Sequence, residues 1–326
     1  VRIAAGLAIG LGLVTVKRNH DYRSELVLWG DTAAKWPQSA RAHNNYGQAL
    51  FRAGDIPASI RRYETAVRLQ PDYPESHYNL GVAFAALGQI PAAIERYEAA
   101  LRLQPDYPEA HNNLGNALMK VNRTVEAMHH YEEALRRRPE FAEAHNNRGN
   151  ALLQEGRARE AQVHLQRALQ HRPRYPEARY NLGNAFAQDG RMPEALQQYL
   201  EAIRVEPKYG EAWVNAGNAL LALDRPVEAV KHYERAVALL PQSAEAHFNL
   251  GSAFLQLERW SEAIVALEAV LRLDPEFVRA HRALGFALAQ SGRAGEAQPH
   301  YERYLRAVPE DAEAQAALAR IRGLRR

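Results

Sequence analysis

The sequence contains no cysteine, and this absence excludes several classes of protein. Disulfide frameworks, zinc fingers with thiolate ligands and thiol nucleophiles all depend on that residue. A surplus of one charge is also lacking, since 41 lysines and arginines are interspersed with 38 aspartates and glutamates. The net charge of +3 gives no strongly basic surface for a phosphate backbone. We therefore predict no nucleic-acid partner.

The sequence also lacks the familiar catalytic motifs. It has no glycine-rich phosphate loop, no HExxH zinc motif and no GxSxG nucleophile elbow. Adjacent carboxylates such as Glu132 and Glu133 are typical of a solvated helix face. The chain of 326 residues is therefore predicted not to be an enzyme, with no catalytic residue and no cofactor.

Long hydrophobic runs are missing except near the N-terminus. Residues 3–16 are uncharged and mostly apolar, and Lys17 and Arg18 follow them. At about 1.5 Å per residue this run spans roughly 21 Å, less than a hydrocarbon core of ~30 Å. We interpret residues 1–16 as the end of a transmembrane helix that tethers the protein to a membrane. A signal-peptide core and an apolar helix packed on the folded part are the alternatives.

Three sets of residues recur every 34 positions without an insertion, and each set forms one column of a repeat. The first column consists of nine of the 17 prolines: Pro37, Pro71, Pro105, Pro139, Pro173, Pro207, Pro241, Pro275 and Pro309. The second consists of Gly47, Gly81, Gly115, Gly149, Gly183, Gly217, Gly251 and Gly285. The third consists of Ala49, Ala83, Ala117, Ala151, Ala185, Ala219, Ala253 and Ala287. Self-similarity over eight cycles indicates a repeat protein.

One copy, residues 108–141, shows what each unit contains. Apolar residues at helical spacing predict a first helix over about 109–121 and a second over about 125–137. Asn122 separates the two helices where most other copies have glycine, which favours a left-handed helix stop. Pro139 ends the second helix because it lacks an amide hydrogen. Neither helix can bury its apolar face alone, so the units must stack into an all-α array.

Units of two helices and 34 residues closed by a proline resemble the tetratricopeptide repeat (TPR) family. The resemblance covers residues 40–311, eight copies, and implies a solenoid that forms a right-handed superhelix. Residues 17–39 are predicted to form a leading helix that covers the first repeat, and residues 312–326 a C-terminal closing helix. The second-helix aromatic of the family is matched by Tyr63, Tyr97, Tyr131, Tyr199, Tyr233 and Tyr301, whereas Leu165 and Leu267 depart from it.

The segment before the first repeat carries a second resemblance. Residues 18–42, which include Trp29 and Pro37, resemble the junction between the last membrane helix and the C-terminal TPR array of polytopic TMTC-type proteins. In that family the membrane part resembles an O-mannosyltransferase, and the repeats lie on the non-cytoplasmic side. The resemblance implies an extracytoplasmic array, where the sequon at Asn122 is a glycosylation acceptor. It also implies an alternative function, the substrate-presenting arm of a membrane glycosyltransferase.

Six of the 13 histidines occupy one column: His43, His77, His111, His145, His247 and His281. Equivalent positions in successive units lie about one helix spacing apart, roughly 8–10 Å. Nitrogen ligands of a zinc ion must each lie about 2.0–2.1 Å from that ion. The column therefore cannot form a shared site, and we predict that its rings pack between helices and that the protein binds no metal.

A column of asparagines lies in the middle of seven first helices: Asn45, Asn79, Asn113, Asn147, Asn181, Asn215 and Asn249. Asparagine is a weak helix former, so helix propensity does not explain the column. At about 100° per residue, Asn113 points away from Leu114 and Leu118, which face the second helix. In a TPR superhelix this direction is the concave groove. The column resembles the asparagine ladder in the TPR superhelix of O-GlcNAc transferase, although Ala283 breaks it in the eighth copy.

An asparagine amide offers two donors and two acceptor sites, which match a peptide backbone. A second row lies one turn along: Asn116, Asn150, Asn184 and Asn218. Beside the first column are variable aromatic residues that are predicted to give selectivity: Tyr78, Tyr180 and Phe248. Two alternative roles of the column stay open, namely a hydrogen-bond ladder that stiffens the array and idle inheritance through duplication.

These features predict a non-enzymatic scaffold for protein–protein interaction that is tethered to a membrane. Its predicted ligand is an extended polypeptide segment in the concave groove. Besides the glycosyltransferase arm, a structural alternative is a filament in which regular ends stack head-to-tail into a homo-oligomer.

Overall fold

The computed structural model describes residues 24–323, and all regular secondary structure in this range is α-helical. Eighteen helices follow one another in these residues without a strand. They are α1 (Glu25–Lys35), α2 (Ala40–Arg52), α3 (Ile56–Leu69), α4 (Pro74–Ala86), α5 (Ile90–Leu103), α6 (Pro108–Lys120), α7 (Thr124–Arg137), α8 (Ala142–Gln154), α9 (Ala158–His171), α10 (Pro176–Gln188), α11 (Met192–Val205), α12 (Gly210–Ala222), α13 (Pro226–Leu239), α14 (Ala244–Gln256), α15 (Trp260–Leu273), α16 (Val278–Gln290), α17 (Ala294–Ala307) and α18 (Ala312–Gly323). The all-α fold class predicted from the sequence is confirmed.

The described residues divide into two units, one through Ala151 and one from Leu152, so that the boundary lies within α8. In each unit a helix packs on the next one along the chain, as α2 does on α3 and α10 on α11. The first helices of neighbouring repeats also contact each other: α4 contacts α2 and α6, and α14 contacts α12 and α16. Each unit is therefore a stack of helix pairs.

The two outermost helices of the described range pack on the neighbouring helix pairs. α1 contacts α2 and buries Ala33, while α18 contacts α17 and buries Leu318 and Ile321. The other residues of the predicted leading and closing segments, 17–23 and 324–326, lie outside the described residues.

The glycine column provides space for a tyrosine ring. A Cβ atom on Gly115 would lie 2.6 Å from Cε1 of Tyr131, which belongs to the second helix of the same repeat and is only 2% exposed. The same close approach relates Gly81 to Tyr97 and Gly217 to Tyr233. Because side chains in a packed core have little room to move, the absence of a Cβ sets the distance between the paired helices.

The turn between the two helices of a repeat requires one residue in the left-handed conformation. Glycine has this role in five turns, at Gly54, Gly88, Gly156, Gly190 and Gly292. Three turns use a residue with a side chain instead: Asn122 at φ 59°, Asp224 at 57° and Glu258 at 55°. Asparagine tolerates this region better than glutamate does, so Glu258 is the least suited of the three.

Replacing Glu258 by glycine is expected to raise the free energy of unfolding by roughly 0.5–1 kcal/mol, because a Cβ is costly at this φ. Thermal or urea unfolding measures the gain. The matched control is Asn122→Gly, which should change stability less. A loss of stability in the Glu258 variant would show that contacts of the glutamate side chain outweigh its backbone strain.

The prediction of a membrane tether is wrong. None of the helices within residues 24–323 is both long and apolar enough to cross a membrane, since they have 11 to 14 residues. A helix of that length covers roughly 21 Å of a hydrocarbon core that is ~30 Å thick. The predicted transmembrane segment, residues 1–16, lies outside the described residues. The finding contradicts the membrane-anchored localisation and the extracytoplasmic placement that depends on it.

Candidate functional site

The asparagine column forms hydrogen bonds from one repeat to the next, and we call it the amide ladder. In the first unit, Asn79 Nδ2 donates to Asn44 Oδ1 at 3.0 Å, and Asn147 Nδ2 donates to Asn112 Oδ1 at 3.0 Å. Between these two bonds, Asn113 Nδ2 donates to the hydroxyl oxygen of Tyr78 at 3.0 Å. These contacts support the alternative, left open by the sequence, of a hydrogen-bond ladder that stiffens the array.

The second unit contains the same ladder with one change of partner. Asn215 Nδ2 donates to Tyr180 Oη at 3.1 Å and to Asn184 Oδ1 at 3.0 Å. Asn249 follows a repeat with Val214 at the acceptor position, and its Nδ2 donates at 3.3 Å to Asn218 Oδ1 instead. The second row thus supplies a further acceptor for Asn215, and it supplies the acceptor for Asn249, where Val214 has no side-chain oxygen.

These bonds explain which residues occur beside the ladder. Asn44, Tyr78, Asn112 and Tyr180 differ in size, but each presents an oxygen that accepts a bond from the next repeat. From the sequence, Tyr78 and Tyr180 were expected to select ligands, whereas each of them accepts a hydrogen bond from the asparagine 35 positions later. In the seventh repeat the acceptor position is Phe248, which has no side-chain oxygen. The following ladder position is Ala283, which has no side-chain N–H to donate.

The ladder amides are only partly buried, and Asn113 keeps part of its hydrogen-bonding capacity. Asn45, Asn79, Asn113, Asn147, Asn181, Asn215 and Asn249 are all half-buried and not sealed in the core. An amide has two N–H donors and two acceptor sites. In Asn113 the bond to Tyr78 uses one donor, and a 3.3 Å bond from Asn112 Nδ2 uses one acceptor site. One donor and one acceptor site are left for a peptide backbone.

The second row is held by tyrosines of the same repeat. The hydroxyl groups of Tyr131, Tyr199 and Tyr233 donate to the Oδ1 atoms of Asn116, Asn184 and Asn218 at 2.8, 2.8 and 2.7 Å. Burial raises the pKa of each hydroxyl, so all three stay protonated donors. Asn150 is exposed, and the residue 15 positions later in the sequence is Leu165, the apolar residue in the tyrosine column. The tyrosine 15 residues later was a signal in the sequence that the prediction did not use.

Two cavities open in the second unit where the ladder ends. One, of 430 Å³, is lined by Phe248, Ser252, Ala283 and Phe286 on α14 and α16. The other, of 610 Å³, lies between α16, α17 and α18 and includes Phe286, Tyr301 and Ile321. Phe286 belongs to both cavities and is 41% exposed. The small side chain of Ala283 leaves space that an asparagine fills in other repeats.

Charged groups around the cavities are mostly paired. Arg282 contacts Asp311 at 2.9 Å and Glu313 at 2.7 Å. Arg279 contacts Glu245 at 2.8 Å and lies 5.0 Å from the ring centre of Phe248. Arg320, which lines the larger cavity, has no carboxylate partner among residues 24–323. The larger cavity therefore combines apolar side chains with Arg320, an arginine without a carboxylate partner in the described part of the chain.

The histidine column has the packing role that the sequence predicts. A carbonyl oxygen only accepts hydrogen bonds, so each histidine Nε2 donates to the proline six residues before it, at 2.9 to 3.3 Å. Where the column has another residue, Arg179, Trp213 and Gln315 donate to the corresponding prolines. The column therefore requires an N–H donor and not an imidazole.

A second set of histidines, which the sequence prediction missed, meets this column. His111 Nδ1 lies 3.0 Å from His130 Nδ1, and His281 Nδ1 lies 2.9 Å from His300 Nδ1. Burial lowers the pKa of His130 to about 4 and also lowers that of its neighbour His111, so the pair is neutral at pH 7. The 34-residue spacing within one column could not show these pairs. The separation of 19 residues between the two histidines of each pair, however, recurs in the sequence.

Several solved structures have folds similar to that of this chain. The Cut9–Hcn1 hetero-tetramer of the APC/C is 17% identical, covering 88% of this chain and 56% of the other, with a TM-score of 0.59. A tetratricopeptide repeat protein from Parabacteroides merdae is 16% identical over 77% of this chain and 99% of its own, with a TM-score of 0.58. PilF from Pseudomonas aeruginosa is 19% identical, and the match covers 64% of this chain and 94% of PilF, with a TM-score of 0.57. At these identities the likeness shows the fold alone.

No curated protein matches the sequence. Sequence profiles described as TPR repeat match residues 47–88 and 83–122. Profiles described as tetratricopeptide repeat match residues 108–141, 130–163, 147–208, 194–244, 214–276 and 254–321. These ranges together extend from α2 to α18, with the glycine, alanine and proline columns in place. The chain therefore belongs to the tetratricopeptide repeat family.

Proposed function

We propose that this TPR array binds an extended polypeptide along the amide ladder. A TPR array is a scaffold suited to protein–protein interaction. The observation behind the finer proposal is the remaining hydrogen-bonding capacity of Asn113, a half-buried ladder amide with one donor and one acceptor site left over. An amide that donates and accepts can pair with a peptide unit without recognising its side chain.

The spacing of the ladder fits an extended ligand. First helices of neighbouring repeats are in contact, and packed helices lie about 8–10 Å apart. A polyproline II chain advances about 3.1 Å per residue, and a strand about 3.3 Å. One ladder amide therefore meets every third residue of such a ligand, whereas a helix would present its backbone to none of them.

The cavities at the end of the ladder supply side-chain selectivity. An apolar or aromatic side chain of the ligand fits between Phe248 and Phe286, where Ala283 leaves room. The unpaired Arg320 favours a carboxylate nearby in the ligand. Of the residues expected to give selectivity, Tyr78 and Tyr180 are occupied by ladder bonds, so Phe248 carries this role in the proposal.

The proposal is tested by selection from a displayed library of unstructured peptides of about 24 residues, three for each of eight repeats. Selected peptides are expected to share an apolar anchor residue. Replacing Phe286 by alanine should then weaken binding by roughly tenfold, the effect of losing about 1.4 kcal/mol of apolar contact. Fluorescence anisotropy with labelled peptides measures the change.

Val265→Ala is the matched control, because Val265 is 65% exposed on the second helix α15. It should leave peptide affinity unchanged. Equal losses in both variants, or selection of helical peptides only, would contradict binding along the ladder. Head-to-tail self-assembly stays a prediction from the sequence.

A further inference from the structure

Aromatic rings of neighbouring repeats form pairs beside the amide ladder. In each pair, the residue just before a ladder position on one first helix contacts the residue that directly precedes the next first helix. Three of these pairs are aromatic: Tyr78 with Tyr107, Tyr180 with Tyr209, and Phe248 with Phe277. Their ring centres lie 4.9, 5.1 and 5.1 Å apart. The same aromatic surface therefore occurs three times.

An arginine of the chain lies against both rings of the phenylalanine pair. The guanidinium carbon of Arg279 is 5.0 Å from the ring centre of Phe248 and 5.2 Å from that of Phe277. Because the two ring centres are 5.1 Å apart, the three points form a nearly equilateral triangle. The same guanidinium contacts Glu245 at 2.8 Å. Cation–π attraction and an ion pair thus hold one arginine at this position.

The four positions of this arrangement recur two repeats earlier without the arginine. Glu177, Tyr180 and Tyr209 take the places of the carboxylate and the two rings, whereas Glu211 takes the place of the arginine. Burial raises the pKa of Tyr209, and so do the charges of Glu211 and Glu177, which therefore lie near its hydroxyl group. Neither glutamate has an ion-pair partner among residues 24–323. Two unbalanced carboxylates thus flank this tyrosine pair.

A second arginine shows that the combination of a carboxylate and a ring holds a guanidinium elsewhere in the chain. Arg138 contacts Glu109 at 2.8 Å, and its guanidinium carbon lies 3.7 Å from the ring centre of Phe141. Two repeats later the position of Arg138 is taken by Glu206. This position therefore supplies no cation to the tyrosine pair that follows it, and adds a further negative charge.

We propose that Glu177, Tyr180, Tyr209 and Glu211 form a site for an arginine side chain of the polypeptide ligand. The inference rests on the proposed binding along the amide ladder, whose Asn215 donates to the hydroxyl oxygen of Tyr180. That bond uses the hydroxyl and fixes the ring, which is left for the guanidinium. The two carboxylates are exposed and the two rings are half-buried, so that a ligand can reach all four groups.

The chemistry of the site favours arginine over lysine. A planar guanidinium stacks on an aromatic ring and pairs with a carboxylate at the same time, and it is more weakly hydrated than an ammonium group. Arg279 makes both of these contacts in the phenylalanine pair. A lysine in the ligand is therefore expected to bind more weakly than an arginine at the same place.

The site also specifies where the arginine lies in the ligand. It is formed by the fifth and sixth repeats, two repeats before the 430 Å³ cavity lined by Phe248 and Phe286. At about 8–10 Å per repeat and about 3.1 Å per residue of an extended chain, two repeats correspond to about six residues. Selected peptides should therefore carry an arginine about six residues from their apolar anchor.

Anisotropy titration with such a peptide tests the site. Replacing the arginine of the peptide by glutamine should weaken binding by roughly tenfold, because the cation–π and charge contacts are lost. In the protein, Glu177→Gln should weaken binding of the arginine peptide by a similar factor and hardly affect the glutamine peptide. Glu234→Gln is the matched control, since Glu234 is exposed on the second helix α13 and has no ion pair among the described residues.

Equal losses in Glu177→Gln and Glu234→Gln would show a general effect of charge and overturn the arginine site. Selection of peptides without a basic residue would overturn it as well, while binding along the ladder would stand. If no peptide is selected, the proposed function fails, and a measurement without ligand decides whether the four residues hold a guanidinium.

That measurement is a thermal-melting cycle on the full chain. Glu211→Arg reproduces the arrangement of Arg279, and its melting temperature is compared with that of Glu211→Gln. The difference in favour of arginine should shrink when Glu177→Gln is added, because the guanidinium then loses its carboxylate. The cycle cancels the cost of a cation in the first turn of a helix, which is common to both backgrounds. Equal differences in the two backgrounds would overturn the proposal.

Discussion

Replacing Gly115 by alanine is expected to lower the free energy of unfolding by roughly 1–3 kcal/mol, the usual cost of overpacking a core. The added Cβ would lie 2.6 Å from the ring of Tyr131. That ring is buried, and its hydroxyl group is fixed to Asn116, so it cannot move aside without breaking the bond. In an unhindered helix the same change adds about 1 kcal/mol of stability. The sign of the effect therefore separates overpacking from helix propensity, and urea unfolding measures it.

Gly285 offers the matched control for this variant. A Cβ at that position would lie 3.1 Å from the nearest atom of Tyr301, about half an ångström further than the corresponding distance at Gly115. Gly285→Ala should therefore cost less than Gly115→Ala, since a smaller shift of the ring suffices. If both variants were more stable than the parent, the glycine column would have no steric role.

Replacing Asn79, Asn113 and Asn147 together by alanine is expected to weaken peptide binding by roughly ten- to a thousandfold. Each lost bond to a peptide backbone contributes about 0.5–1.5 kcal/mol, and about 1.4 kcal/mol corresponds to a tenfold change in affinity. Anisotropy titration with a selected peptide measures the loss. The free energy of unfolding should fall only modestly, because the better helix propensity of alanine offsets part of the three lost inter-repeat bonds.

Tyr78→Phe separates the binding role of the ladder from its structural role. It removes the oxygen that accepts from Asn113 but leaves the Asn113 amide in place. Stability should fall by about 0.5–1.5 kcal/mol, the contribution of one hydrogen bond, while peptide affinity is retained. If Tyr78→Phe weakened binding as much as Asn113→Ala does alone, the ladder would serve only to join repeats, and our proposal would be wrong.

The sequence predicts the helices of this protein closely because proline and glycine mark their ends. The first helix of the third repeat, expected over about 109–121, is Pro108–Lys120, and the second, expected over about 125–137, is Thr124–Arg137. The direction of Asn113 away from the second helix also followed from helical periodicity. Both inferences concern neighbours along one helix, where spacing in the sequence fixes spacing in the structure.

Contacts between helices were much harder to predict. The bonds of Tyr131 to Asn116 and of Asn113 to Tyr78 depend on how two helices are placed, and helical periodicity gives only the direction of each side chain. The histidines were judged by the distance between equivalent positions, which excluded a site within the column and overlooked His130 on the facing helix. Each of these contacts joins two columns at a fixed separation in the sequence. The separation is 15 residues for Asn116 and Tyr131, 19 for the two histidines, and 35 for Tyr78 and Asn113.

The bond to the proline carbonyl has a consequence for how such a chain can evolve. Imidazole, indole, guanidinium and amide side chains all donate to it, at His111, Trp213, Arg179 and Gln315. Exchange among these residues can therefore keep this hydrogen bond, and a histidine introduced here by mutation does not remove it. Its second nitrogen is then available for selection on a new property. In this way one repeat of the array can acquire a new property by mutation while the other repeats continue to stabilise the fold.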